Sequence, residues 1–189
     1  ESFGITMLHR PDGVITSTPA TILPTNNYNG TANPLSIAPY WIWKFITSSF
    51  YAQWTYVGSA TGINPGEGFT MKGTSGSDAT VAHALENVQN NSGSRQRYDF
   101  RGKPNDGNIG VTVAAGNFTL VGNPYPSAID LNAYLLDPAN SALINGQAYF
   151  WEQVVVNTHV LSQYQGGYGI YNPATGIYTP AAFFTYDGL

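Results

Sequence analysis

The sequence of 189 residues contains no cysteine, and only 10% of its residues are charged. Without cysteine, neither a disulfide, a thiolate metal site nor a thiol nucleophile can form. An ordinary soluble domain carries about 25% charged residues, and a helical bundle places many of them on its outer faces. The chain has seven Lys and Arg residues and eleven Asp and Glu residues. It therefore lacks the excess of basic residues that is typical of nucleic-acid-binding proteins. These shortages argue against disulfide frameworks, helical bundles and nucleic-acid partners.

The sequence also lacks any apolar run of about eighteen residues, the length that predicts a membrane-spanning helix. Aromatic residues make up 14% of the chain, which is too many for general disorder. Twenty-one glycines and twelve prolines indicate many turns. The composition is therefore typical of a neutral-surfaced, turn-rich and aromatic β-protein.

Short segments rich in β-branched and aromatic residues alternate with turn sequences along most of the chain. Strands are predicted at residues 3–9, 14–23, 41–48, 50–58, 69–73, 97–102, 109–115, 118–122, 148–156, 166–172 and 176–186. Strands at this spacing favour an all-β fold, an antiparallel sandwich or jelly roll. One short inserted helix is predicted near residues 130–136, with Asp130 as its N-cap and Pro138 after its end.

Two regions follow from this pattern. Residues 1–40 are predicted to form an extended N-terminal segment, in which residues 24–39 read as a loop or linker rich in Asn, Gly and Pro. Residues 41–189 are predicted to form the β-sandwich.

Five strings occur in a characteristic order. They are PGEGFTMKG (65–73), YDFRGKPNDG (98–107), LVGNPYPSAID (120–130), YFWEQ (149–153) and GGYGIYN (166–172). Together they resemble a domain of large secreted and cell-surface proteins of the Bacteroidota, which are cargo of type IX secretion and are adhesin-like or gliding-associated. The resemblance implies a β-rich extracellular module without assigned catalysis. Its structural motif falls on Gly122, Asn123, Pro124, Tyr125, Pro126, Asp130 and Trp151.

The resemblance also implies a further strand after GGYGIYN, and no matching string precedes Leu189. An open position in a sheet can be filled by a strand from another chain. We therefore expect the N-terminal segment of a second copy, residues 3–9 or 14–23, to serve as an intersubunit strand.

No catalytic or metal motif stands out. His9, His83 and His159 are isolated, and no GxSxG string occurs. Each acidic candidate for a glycosidase pair has a structural interpretation: a turn for Glu67, an ion pair for Asp99, a helix cap for Asp130 and a solvent-facing strand position for Glu152. The string NDGN at residues 105–108 leaves calcium open, but it lacks the spaced carboxylates of a calcium loop and is better read as a turn. We predict a non-enzyme without a cofactor.

The aromatic residues leave two functions open. Trp54 and Trp151 lie within predicted strands and are expected in the core. Loop aromatics are candidates for a ligand-binding face: Tyr28, Tyr40, Trp41, Tyr125, Tyr164 and Tyr168. The first function is an extracellular structural or adhesive module that assembles with itself as a fibre or surface-layer subunit, or with other surface-protein segments. The alternative is a carbohydrate-binding module of a secreted polysaccharide-degrading protein, since aromatic faces suit glycans.

Overall fold

The structure is a computed structural model that describes residues 7–12, 15–58, 62–74, 98–153, 160, 163 and 165–182. The predictions for residues 3–6, 14, 97, 154–156 and 183–186, and those for His83, His159 and Tyr164, lie outside these residues. The chain divides into two compact units, Glu1–Ala128 and Ile129–Leu189. The predicted division into residues 1–40 and 41–189 stays a prediction.

The strands that the structure describes in the first unit are all short. They are β1 (Leu8–Pro11), β2 (Ser17–Pro19), β3 (Thr21–Ile22), β4 (Ser36–Ile37), β5 (Trp43–Lys44), β6 (Thr55–Tyr56) and β7 (Asp99–Phe100). β1 lies between β2 and β7 in an antiparallel sheet. β5 and β6 pair antiparallel, whereas β3 and β4 pair parallel. The predicted β-rich character is confirmed, and the parallel pair departs from a purely antiparallel arrangement.

The core of the first unit gathers apolar side chains from distant parts of the sequence. Its buried members are Leu8, Leu35, Ile37, Ile42, Val57 and Ile63. Residues 24–39 are predicted to form a long ordered loop or a linker, but Ser36–Ile37 form strand β4. Leu35 and Ile37 of this stretch are buried in the core. This short stretch has neither helical nor strand periodicity over a useful length, so its burial leaves no clear pattern in the sequence.

Two predicted strands of this unit, 41–48 and 50–58, are much shorter than expected. A 3₁₀ turn at Pro39–Trp41 precedes β5, and another at Tyr51–Gln53 precedes β6. The side chain of Gln53 explains the second turn, since its Oε1 accepts the N–H groups of Ser49 and Phe50. Proline explains the first, because Pro39 has the backbone angle that begins such a turn.

The second unit begins with two short helices, α1 (Leu131–Leu136) and α2 (Pro138–Ser141). The predicted helix and its N-cap are confirmed, since Asp130 accepts a hydrogen bond from the Ala133 N–H at 3.0 Å. Pro138 starts a helix rather than ending one, which suits a proline at the first helical position. Asp137 caps this second helix through the Ala139 N–H.

The sheet of the second unit has the order β10–β9–β8, formed by β8 (Ala148–Gln153), β9 (Gly166–Asn172) and β10 (Ile177–Thr179). All its pairs are antiparallel. The expectation that Trp151 lies in the core is wrong, because its side chain is 52% exposed. Successive residues of a strand face opposite sides, and here Glu152 takes the buried side.

No helix among the residues that the structure describes is long and apolar enough to cross a membrane.

Candidate functional site

Three aromatic rings form a cluster at the surface of the first unit. The ring centroids of Tyr28 and Tyr40 lie 4.7 Å apart, and those of Tyr40 and Trp41 lie 5.0 Å apart. Tyr28 is 49% exposed and Tyr40 is 39% exposed. Three of the aromatics predicted to be at the surface are therefore brought together, although Tyr28 is twelve positions from Tyr40 in the sequence.

Hydrogen bonds from the indoles hold this aromatic cluster in place. The Nε1 of Trp41 donates to the carbonyl of Tyr28 at 2.9 Å. The Nε1 of Trp43 donates to the carbonyl of Tyr40 at 2.7 Å, and the Trp43 ring contacts Tyr56 edge-on at 5.2 Å. The Trp41 indole is thus held against the backbone of Tyr28, and the Trp43 indole is held against the backbone of Tyr40.

A lysine borders the aromatic cluster. The Nζ of Lys72 lies 5.6 Å from the ring centroid of Trp41 and donates to Asn29 Oδ1 and the Tyr28 carbonyl. Burial lowers the pKa of Lys72 below its usual range. Sequence reasoning missed Lys72 and Asn29, because the contacts of this lysine join positions that are far apart in the sequence. Lys72 belongs to the string PGEGFTMKG, but nothing in that string indicates that the lysine lies beside Trp41. Ring faces beside amide and ammonium donors are the combination with which proteins bind sugars or planar polar ligands.

The other predicted ligand-binding residues lie elsewhere. The hydroxyl of Tyr125 donates to the carbonyl of Gly107 at 2.6 Å, so this side chain fastens one loop to another. Tyr168 is 57% exposed and its ring contacts the Trp151 ring edge-on at 5.1 Å. Trp151 and Tyr168 form an exposed aromatic pair on the sheet of the second unit.

Three of the five characteristic strings line one groove of about 470 Å³ in the first unit. Its walls come from residues 63–69, 100–105 and 120–126. Two backbone hydrogen bonds join the first and third walls, from Gly68 N to the Leu120 carbonyl and from Gly122 N to the Gly66 carbonyl, each at 2.9 Å. A side chain at Gly68 would meet Leu120 and the Val121 backbone at 2.7 Å. The glycines of these strings therefore permit close backbone approach.

The string GNPYPSAID builds a turn through its own side chains. Asn123 Oδ1 accepts the Tyr125 N–H at 3.0 Å, and Asn123 Nδ2 donates to the Ser127 carbonyl at 2.6 Å. Asn105 Nδ2 donates to the carbonyl of Pro124 at 2.8 Å. The turn predicted at residues 105–108 is thus part of the contact that holds this string. These hydrogen bonds give its residues a structural role.

An ion pair lies beside the groove. Lys44 Nζ is 2.8 Å from Glu67 Oε2, and both side chains are only 15% exposed. The same carboxylate accepts the N–H and the Nδ2 of Asn64. Burial opposes ionisation of Glu67, but the hydrogen bonds from Lys44 and Asn64 outweigh it and lower the pKa of Glu67.

This pKa shift predicts how stability depends on pH. The ordinary pKa of Glu67 is 4.5, and a lowered folded-state pKa stabilises the protein at higher pH and ceases to do so as the carboxylate protonates. We expect the unfolding free energy of the wild type to fall below about pH 4.5 more steeply than that of Glu67→Gln. Urea unfolding from pH 7 to pH 3 measures both curves. If the unfolding free energies of the two proteins fall in parallel with pH, the contacts of Glu67 do not stabilise its ionised form in the folded state.

The four carboxylates considered for hydrolysis have structural partners. Asp99 pairs with Arg101 at 2.8 Å, as predicted. Glu152 is 9% exposed and accepts the Tyr178 hydroxyl and the Ala181 N–H, so the expectation that it faces solvent is wrong. The sequence of β8 is apolar on both faces, which is why the alternation did not reveal the buried side. Among the described residues no three His, Asp or Glu side chains gather as a metal site would require.

The fold and these surfaces define a β-rich protein of two compact units with exposed aromatic clusters. Residues 5–187 match the family described as Domain of unknown function (DUF8693), and since this match spans nearly the whole chain, the chain belongs to that family. No curated protein matches the chain. No solved structure matches it either.

Proposed function

We propose that the chain is a non-enzymatic structural or adhesive module of an extracellular bacterial surface protein. The five characteristic strings support placing it among secreted, type IX cargo proteins of the Bacteroidota. The proposal includes the antiparallel sandwich or jelly-roll arrangement, as well as self-assembly or binding to other surface-protein segments. A low-charge surface supports such contacts, because few charged groups must be desolvated when it is covered.

The single observation that carries the proposal is the aromatic cluster of Tyr28, Tyr40 and Trp41. Tyrosine and tryptophan are enriched in recognition surfaces, because they bury a large area with little loss of side-chain entropy. In this cluster the indole hydrogen bond to the Tyr28 carbonyl holds Trp41 beside Tyr28. A surface of this kind favours adhesion over a purely passive structural role.

Carbohydrate binding is the second candidate, and the same cluster favours it. The exposed rings of Tyr28 and Tyr40 lie beside Asn29 and Lys72, which combine apolar faces with hydrogen-bonding groups. A carbohydrate-binding module of a polysaccharide-degrading protein would use this surface to hold a glycan chain. The two candidate functions therefore use the same surface and differ in the ligand that this surface binds.

Substitution within the aromatic cluster tests both candidates. We expect Tyr28→Ala with Tyr40→Ala to weaken binding to the target surface or glycan by about tenfold to a hundredfold, because two stacking rings are lost. Binding is measured on a glycan array and on intact bacterial surfaces. Binding to the array supports the carbohydrate candidate, and binding to cells or surface proteins alone supports the adhesive one.

The matched control is Phe50→Ala, which removes a 70% exposed ring outside the cluster and should leave binding unchanged. Equal loss in the control and the double variant would contradict a specific role of the cluster. Absence of any binding by the wild type would contradict the adhesive proposal.

The donation of an N-terminal strand to a second copy stays a prediction. Within one chain, β1 is hydrogen-bonded on both edges, by β2 and by β7, and Leu8 is fully buried. An exchanged β1 would have to leave these contacts and remake them in the partner, as in domain swapping.

A further inference from the structure

We infer that residues 109–113 form the edge strand of a homotypic interface, pairing antiparallel with the same residues of a second copy of this chain. The inference rests on the self-assembly included in the proposed function and names the surface that performs it. It uses residues separate from the aromatic cluster.

The first observation is that this segment is extended but pairs with no strand among the residues that the structure describes. The side chains of Ile109 and Val111 both approach the α-carbon of Gly66, where an added Cβ would meet them at 3.3 and 2.6 Å. Two residues that are two positions apart and face the same side indicate an extended backbone. Yet in the part of the chain that the structure describes, no backbone N–H group from residue 109 to residue 113 donates a hydrogen bond.

The second observation fixes which edge is available. The Thr112 carbonyl accepts the hydroxyl of Thr119 at 2.9 Å, and the Ala114 carbonyl accepts the Asn117 N–H at 3.1 Å. The backbone groups of residues 112 and 114 therefore face the returning segment. The N–H and C=O groups of successive residues in a strand point to opposite edges. The N–H and C=O groups of Ile109, Val111 and Val113 therefore face the other edge. There they are placed to form a ladder with an incoming strand.

The third observation indicates which chain would supply the strand that pairs with this edge. No charged residue occurs between positions 107 and 129, and Val113 is 40% exposed. Proteins usually protect a sheet edge with charged side chains, proline or a bulge, and the stretch from 109 to 113 has neither charge nor proline. Two copies can approach here without like-charge repulsion. An uncharged edge offers no feature that would select a charged foreign strand, which favours the second copy.

The symmetry of the pairing follows from the same geometry. A two-fold axis through Val111 places Val111 opposite its counterpart and Ile109 opposite Val113 of the other copy. These are the residues whose backbone groups face outward, so each opposed pair can exchange both hydrogen bonds. The interface is short, so we expect a dissociation constant in about the micromolar to millimolar range, with weak dependence on salt.

Two proline substitutions test this interface. Val113→Pro removes an outward-facing N–H that has no partner within the described chain, and we expect it to weaken self-association about tenfold or more. Thr112→Pro is the matched control, because it removes the neighbouring N–H that faces the other way. It should associate like the wild type. Sedimentation velocity from about 1 µM to 1 mM measures association, and circular dichroism checks that both variants fold.

Hydrogen exchange provides a measurement that does not depend on substitution. Amides of residues 109, 111 and 113 should exchange more slowly at high than at low protein concentration, whereas surface amides elsewhere should not change. A monomer throughout this concentration range would overturn the inference, while the adhesive proposal would still stand on binding through Tyr28 and Tyr40. Self-association that Val113→Pro leaves unchanged would also overturn it and would place the contact on another surface, such as the Trp151–Tyr168 pair.

Discussion

Gly30→Ala is expected to destabilise the first unit by about 3–5 kcal/mol, a large effect for one methyl group. A Cβ at Gly30 would lie 1.8 Å from the carbonyl oxygen of Ser36 and 2.8 Å from its carbonyl carbon. The obstacle is backbone, so no side-chain rotation can relieve it. Ser36 belongs to β4, and its neighbours Leu35 and Ile37 are in the core. Any shift of this backbone therefore loosens core packing.

The matched control for this substitution is Gly110→Ala. No atom lies within 4 Å of a Cβ at Gly110, and its backbone has no positive φ. Replacing glycine at such a site restricts the unfolded chain, so the control should be neutral or more stable by up to about 1 kcal/mol. Urea unfolding followed by fluorescence gives both values. Equal stability of the two variants would contradict the close contact between Gly30 and Ser36.

Glu152→Ala is expected to destabilise the second unit by about 2–4 kcal/mol. Its carboxylate is buried and accepts the Ala181 N–H at 2.7 Å through Oε2 and the Tyr178 hydroxyl through Oε1. Removing it leaves a buried backbone donor without its acceptor, and an unsatisfied buried group costs more than the net value of one hydrogen bond. It also disconnects β8 from the residues at and after β10.

The adjacent Gln153→Ala is the control for Glu152→Ala. Gln153 is exposed and ends β8, so its loss should change stability by no more than about 0.5 kcal/mol. Glu152→Gln should fall between the two, because an amide keeps one accepting oxygen but turns an N–H₂ group toward the second donor. A Glu152→Ala variant as stable as Gln153→Ala would contradict the structural role of the carboxylate.

Features encoded within a few residues were predicted well. The cap of α1 needs only Asp130 and an N–H three positions later, and the β9 strand is a single run of seven residues, as predicted. The ion pair of Asp99 with Arg101 spans two positions. In the cap and the ion pair the interacting atoms are neighbours in the chain, so the local sequence contains the physical cause.

Features that depend on distant partners were missed or misjudged. Residues 109–115 have the composition of a strand, yet they form no ladder with any other described segment. Trp151 was expected to be buried and Glu152 to be exposed, and the structure shows the opposite. Both faces of β8 are apolar in sequence, and the buried face is set by the contacts of Glu152 with Tyr178 and Ala181. Strand pairing and burial are decided between segments, which one segment alone cannot specify.

The sequence by itself determined a low-charge, aromatic, β-rich chain with its turns, its helix cap and its surface aromatics. Only the tertiary structure decided which of these residues meet. It brought Tyr28 to Tyr40 and Trp41, placed three characteristic strings around one groove, and left residues 109–113 without a ladder to any other described segment. The physical reason is that composition and short-range hydrogen bonds act along the chain, whereas packing and strand pairing act between parts of the chain that are far apart in sequence.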